Sequence, residues 1–114
     1  MNVRTPTINH VTLAGNLTRD AKIDHVGDDL VSVARLSIAN NSHYRDKSGN
    51  WHDLVTYVDA EIWGAAAERV ESFGKKGAPV VVEGSLKQNI WTDKEGNKHQ
   101  KLLIKADRIH HLLK

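Results

Sequence analysis

Cysteine is absent from this 114-residue chain, which removes disulfide frameworks, thiolate zinc sites and cysteine nucleophiles together. A cysteine-free composition also fits a reducing compartment. No apolar run approaches the roughly 18 residues of a membrane span. The start, Met1-Asn2-Val3-Arg4-Thr5-Pro6-Thr7, lacks the apolar stretch of a signal peptide. Together these absences lead us to expect a cytoplasmic protein with no membrane partner. A strong charge of one sign is missing as well: 16 Lys and Arg against 14 Asp and Glu leave +2, so bulk charge favours an anionic partner only weakly. No low-complexity tract, interdomain linker or internal repeat is apparent, and the length suits a single domain with a real core.

What is present is patterned. Lysines gather in the last third of the chain (Lys75, Lys76, Lys87, Lys94, Lys98, Lys101, Lys105 and Lys114), an asymmetry that a polyanion could use. With only six aromatic residues, the place of each ring is informative. The sharpest contrast lies in residues 53–64. Leu54, Val58, Ala60 and Ile62 share one parity, while Tyr57, Asp59, Glu61 and Trp63 share the other. A period of two puts aliphatics on a core face and two rings with two carboxylates on a working face. Rings on a solvated strand face are costly unless something flat and apolar covers them.

The rest of the chain reads as a scaffold for that face. Residues 1–7 are expected to be a flexible N-terminus. Residues 8–17 alternate Val11, Leu13, Gly15 and Leu17 as a first strand, with Gly15 marking a bulge or bend, and residues 21–26 read as its extension. Ala34, Leu36 and Ile38 define a second strand over 30–39. Residues 40–53 are polar and lack either period, so a long loop is expected there, carrying Tyr44, Arg45, Lys47 and Trp51. Residues 65–73 are rich in helix formers, place Ala66, Val70 and Phe73 on one stripe, and meet Gly74 at their end. Residues 79–91 read as a strand, turned by Asp93-Lys94-Glu95-Gly96-Asn97 into a last strand over 101–109. Five strands with one helix between the third and fourth is the order of an OB-fold, a five-stranded Greek-key barrel whose face and loops bind oligonucleotides. The fold class is therefore all-β with one helix, over residues 8–112.

Tyr44, Tyr57, Trp63 and Trp91 fall on one inferred surface, with Trp51 apart and only Phe73 in an obvious core stripe. Rings beside cations offer sequence-tolerant stacking because every base has a π-face. The segments Ile8-Asn9-His10-Val11-Thr12-Leu13-Ala14-Gly15-Asn16-Leu17, Tyr44-Arg45-Asp46-Lys47, Trp63-Gly64, Val82-Glu83-Gly84-Ser85-Leu86 and Trp91-Thr92-Asp93 resemble the bacterial single-stranded DNA-binding protein family. The resemblance covers about residues 8–112. It implies non-catalytic binding of single-stranded DNA in replication, recombination and repair, a homotetramer, nucleoid association, and base-stacking roles for Tyr44, Tyr57, Trp63 and Trp91. Arg45, Lys47, Lys87 and Lys98 are the phosphate contacts expected from position and charge. No cofactor and no metal is expected.

Two departures stand out. The family usually continues into a flexible linker and an acidic tip that recruits replication and repair proteins, whereas this chain stops at Leu112-Leu113-Lys114, which puts those partners in doubt. Asp59 also stands where the family commonly has a basic or neutral side chain. Two other classes of function find partial support in the sequence. Asp59 and Glu61, at i and i+2, could share a divalent ion in a nuclease, but nothing places a third ligand. A protein adaptor of a primosome-like complex would not need four rings on its nucleic-acid face. The scattered histidines His10, His25, His43, His52 and His99, with His110 and His111 adjacent, read as surface or subunit-contact residues rather than as a zinc site.

Overall fold

The alternation that marks the first strand becomes β1 (Val11–Leu17) in the structure, a computed structural model that describes residues 3–112. Met1, Asn2, Leu113 and Lys114 lie outside the described residues, so the first two positions of the expected flexible start and the last two of the expected tail-less end fall there. Residues 3–10 form no helix or strand, yet the Asn9 side chain is fastened to the backbone of Leu86. It accepts from the Leu86 N–H at 2.8 Å and donates to the Leu86 carbonyl at 3.0 Å.

The remaining strands are β2 (Lys22–Val26), β3 (Val31–Arg45), β4 (Trp51–Trp63), β5 (Pro79–Thr92) and β6 (Lys98–His111), with α1 (Ala65–Phe73) between β4 and β5. They run in the order β1-β5-β6-β4-β3-β2, and an additional β1–β3 pairing closes β1, β5, β6, β4 and β3 into a five-stranded barrel. Residues 21–26, expected to extend the first strand, form a separate strand instead. The chain bends away after Leu17, where the Thr18 N–H donates to the Ser37 carbonyl and the Ala21 N–H to the Gly74 carbonyl. The segment β2 then pairs only with β3, outside the closed circuit. Closure depends on Gly15. A Cβ there would lie 2.3 Å from the Ala39 carbonyl oxygen, so only glycine lets β1 leave β5 and reach β3.

Inside the barrel, Leu36, Ile38, Ile62, Val80, Val82 and Ile104 are essentially without solvent contact, and Ala67, Val70 and Phe73 of α1 cover this core from one side. Each such aliphatic contributes roughly 1.5–3 kcal/mol by burial. A parallel pairing of β4 with β6, Ala60 to Ile104 through Ile62 to Ala106, is the sole parallel ladder among the described strands.

The expected long loop over 40–53 is not a loop. Strands β3 and β4 stay paired from Val33–Trp63 out to Arg45–Trp51, leaving only Asp46–Asn50 as a turn. Beyond Tyr57 this hairpin has no third strand beside it, and β5 with β6 projects similarly as far as Thr92–Lys98. Two ribbons therefore stand out from the barrel, and the radius of gyration is 17.2 Å, against about 13 Å for a compact domain of this length. Leu54, assigned to the core by parity, lies on such a ribbon and is 51 % exposed, because the ribbon has no core beneath it. No helix among the described residues is long and apolar enough to cross a membrane.

Candidate nucleic-acid interface

The working face of β4 keeps the parity read from the sequence. Tyr57 is 70 % exposed and Trp63 38 %, while Asp59 is half-buried and Glu61 nearly enclosed. Trp91 on β5 joins them: a groove of about 270 Å³ is bordered by Trp91, Asp59, Glu61, Arg35 and Lys101. Most of its charges are paired, although Arg19, also on its border, has no acidic partner among the described ion pairs. Lys87 Nζ donates to Glu61 Oε1 at 3.1 Å, Lys101 to Asp59, and Arg35 to Asp24 at 2.5 Å. An Arg35 partnership with Asp59 or Glu61, natural from the Arg35–Glu61 register, is thus not formed. Lys87, expected at a phosphate, is already held by a buried carboxylate.

The other sequence candidates sit on the two ribbons. Tyr44 is half exposed on β3, and its ring stacks on His52 with centroids 5.0 Å apart. Trp91 is likewise half exposed and stacks on His99 at 5.3 Å. Arg45 and Trp51 form the next cross-strand pair, so strand alternation puts them on the ribbon face opposite Tyr44. There the Arg45 guanidinium lies 5.8 Å from the Trp51 ring centroid. Lys98 stands opposite Thr92 and so on the other face from Trp91, while Lys47 occupies the β3–β4 turn. The eight candidates therefore divide into a barrel-side set (Tyr57, Trp63, Lys87) and a ribbon-tip set (Tyr44, Arg45, Lys47, Trp91, Lys98), and of the eight Trp91 is the one that borders the 270 Å³ groove.

Both ribbon tips are built alike, and here the expectation of no internal repeat fails. Tyr44-Arg45-Asp46-Lys47-Ser48-Gly49-Asn50-Trp51-His52 and Trp91-Thr92-Asp93-Lys94-Glu95-Gly96-Asn97-Lys98-His99 share the order ring, x, Asp, Lys, x, Gly, Asn, x, His. In each turn the glycine takes a positive φ of 86°, which closes a tight hairpin with a bulge. The Asp46 Oδ1 accepts from the Ser48 and Asn50 amides, and Asp93 Oδ1 from those of Glu95 and Asn97, all at 2.9 Å. The other carboxylate oxygen accepts a hydrogen from Nε2 of His52 or His99 at 2.7 Å. These histidines first, and the turn amides second, hold both aspartate carboxyls below their ordinary value.

Sequence reasoning missed several residues of this surface. Lys101 and Arg35 border the Trp91 groove, Trp51 is 68 % exposed beside Arg45, and His52 and His99 back two rings. The nine-residue repeat was the available signal for the histidines, and no comparable signal marked Trp51. His110 and His111 point to opposite sides, the first to Glu83 at 3.1 Å and the second onto the Phe73 ring.

A closed five-stranded barrel carrying half-exposed rings and cations on one face and two ribbons defines an oligonucleotide-binding class of protein. The model of the Single-strand binding protein family matches residues 8–112, and this chain belongs to that family. It is 39 % identical over 107 residues to a single-stranded DNA-binding protein of Deinococcus radiodurans, covering 92 % of this chain and 34 % of the relative. With the Chlorobaculum tepidum single-stranded DNA-binding protein 2 it shares 35 % over 109 residues, covering 96 % and 74 %. A deletion mutant of the single-stranded DNA binding protein from Thermus aquaticus superposes with a TM-score of 0.81 at 26 % identity, over 93 % of this chain and 51 % of that one. The chain thus spans about a third of the Deinococcus protein and half of the Thermus chain.

Proposed function

We propose that this chain binds single-stranded DNA without sequence preference and protects it during replication, recombination and repair, with no catalytic step. Tyr44, Tyr57, Trp63 and Trp91 are the base platforms, Arg45, Lys47 and Lys98 face phosphates, and Lys87 reaches one only by leaving Glu61. One observation carries the reading: the four rings are between 38 % and 70 % exposed on a barrel whose core needs none of them. Leaving such surface bare is unfavourable, whereas each base stacked on a ring is worth ~1–3 kcal/mol. Family membership and the names of the relatives point the same way. A nuclease would need Asp59 and Glu61 at a divalent ion, but Lys101 and Lys87 would first have to leave them. Titrating the protein with oligothymidylate should quench its tryptophan emission. An unchanged spectrum at micromolar protein with excess strand refutes the stacking.

The assembly we propose is a homotetramer, the likeness carried by the family. Leu54, Val55, Ile90 and Leu102 on the ribbons, with Leu86 where the second ribbon leaves the barrel, are all more than 40 % exposed and supply apolar surface for subunit contacts. Four chains of 12.7 kDa should scatter light as a particle of about 51 kDa. A monomer at micromolar concentration contradicts the tetramer. A cytoplasmic, nucleoid-associated location belongs to the same proposal.

A further inference from the structure

We infer that His52 and His99 are positioning residues for the base platforms: each backs one face of a ring, Tyr44 or Trp91, and leaves the opposite face for a nucleotide. This rests on the stacking reading above and adds residues that carry neither a ring offered to DNA nor a phosphate contact. Tyr44 is directly opposite His52, and Trp91 directly opposite His99, at the last pair but one before each turn. No third strand is paired beside either ring at that height, and although the Trp91 ring borders the groove near Arg35 and Asp59 it stays about half exposed, so without a flat partner either ring would sample several rotamers, and a base would meet it only part of the time.

The imidazole removes that freedom. Its plane lies 18° from the Tyr44 ring and 19° from the Trp91 ring, close enough to parallel for offset stacking at 5.0 and 5.3 Å. Its own orientation is set by the aspartate, which can only accept, so Nε2 carries the hydrogen that points at the carboxylate. That carboxylate is fixed in turn by two amides of a glycine-bearing turn. A chain of contacts thus runs from rigid backbone through aspartate and histidine to the ring. Both rings stay about half exposed although one face is covered. The same chain occurs twice, at two places that share no residue, so it is not an accident of one turn. Arg45 is also fastened to its turn, through the Gly49 carbonyl, and lies by Trp51, but the second tip has Thr92 and Lys98 at those places, so only the aspartate–histidine–ring chain occurs in both.

The test is a pair of substitutions combined with loss of the ring. In the full chain, His99→Ala should weaken oligothymidylate binding about 2- to 5-fold, the range of one cross-strand pair. His99→Phe keeps a flat ring against Trp91 without the hydrogen bond to Asp93, and should restore most of the affinity. In a Trp91→Ala background His99→Ala should have no further effect, because the histidine acts through the ring. Near-ultraviolet circular dichroism of His99→Ala should show a weakened tryptophan signal while far-ultraviolet bands stay native. If His99→Ala weakens binding equally with and without Trp91, the imidazole touches DNA itself and the positioning role is overturned. Unchanged affinity in a folded His99→Ala overturns it too. If Trp91→Ala alone costs no affinity, the stacking reading fails, which is a different outcome from failure of the histidine role.

Discussion

Asp59 offers the most direct test of how the groove works, because it stands on the face assigned to DNA and yet carries the charge of DNA. The structure resolves the tension locally, since Lys101 is ion-paired with it beside Trp91. Their side chains are 52 % and 29 % exposed, so the pair contributes no more than about 1 kcal/mol to stability. Asp59→Asn should leave the fold intact and free Lys101 for a phosphate. Each phosphate neutralised on a single strand contributes a slope of about 0.7 in log affinity against log salt. Referred to 1 M, one such contact is worth about 0.7 log units at 0.1 M, or about 5-fold. Removing a carboxylate roughly 8 Å from a phosphate adds about 0.5 kcal/mol in water and about 2 at an effective dielectric of 20, before screening over about 10 Å. We therefore expect Asp59→Asn to tighten oligothymidylate binding at least about 5-fold at 0.1 M salt, to steepen the slope by about 0.7, and to show little gain near 1 M. Fluorescence titrations along a salt series measure both quantities. A folded variant with unchanged affinity and slope refutes a strand path through this groove. If Asp59→Asn with Glu61→Gln changes the particle mass instead, the carboxylates belong to a subunit contact.

Lys87→Ala should behave differently from other lysine changes. It strips the counter-ion from Glu61, whose side chain is only 8 % exposed, and because Lys87 itself is 43 % exposed the cost should fall below the ~3–5 kcal/mol of a fully buried pair, at about 2 kcal/mol by thermal melting. Its salt slope should flatten by less than after Lys47→Ala or Lys98→Ala, and an equal flattening would show that Lys87 leaves Glu61 for a phosphate. A third expectation concerns acid. Because the Asp46 and Asp93 carboxyls are held below 3.8, the stabilisation they give the turns is complete above that value. It drains away as pH falls from there through the lowered native values, so amide resonances of Asn50 and Asn97 should stay native down to about pH 4 and shift only below it. Titration of either carboxyl above 3.8 contradicts the hydrogen-bonded turns. Finally, Ile62→Ala, in the middle of the closed circuit, should cost ~2–5 kcal/mol in denaturant unfolding.

The barrel was legible because its signals are local and periodic. Val80 and Val82 on β5, and Ala60 and Ile62 on β4, lie where a period of two puts them, each with a sheet neighbour on both sides and a core beneath. Gly15 announced a bend for a reason the structure makes plain, the 2.3 Å approach of Ala39. Periodicity failed where it had no core to report. Residues 40–45 and 51–56 pair as a ladder with solvent on both faces, so nothing selects apolar side chains at alternate positions, and the stretch reads as loop. For the same reason Leu54 followed the parity of the core without being in it.

The candidate site was legible in its rings and obscure in its charges. An exposed ring is a violation of the usual inside-outside order and can be noticed from sequence, whereas the partner of a lysine depends on which strands become neighbours. Glu61 and Lys87 are 26 residues apart, and Asp59 and Lys101 are 42 apart. Their meeting requires β6 to lie between β4 and β5, an order that the β4–β6 parallel ladder alone creates. That order changes what the lysine count means. Of the cations bordering the groove with Trp91, Arg35 and Lys101 each have an acidic partner and Arg19 has none among the described ion pairs, so attraction for a polyanion is expected from Arg19 and from the ribbon tips, where Lys47 and Lys98 have no carboxylate partner either. On the proposed reading a strand of DNA should therefore meet charge and the rings Tyr44 and Trp91 at the tips, find Tyr57 and Trp63 nearer the barrel, and be held less tightly where Asp59 and Glu61 border the groove.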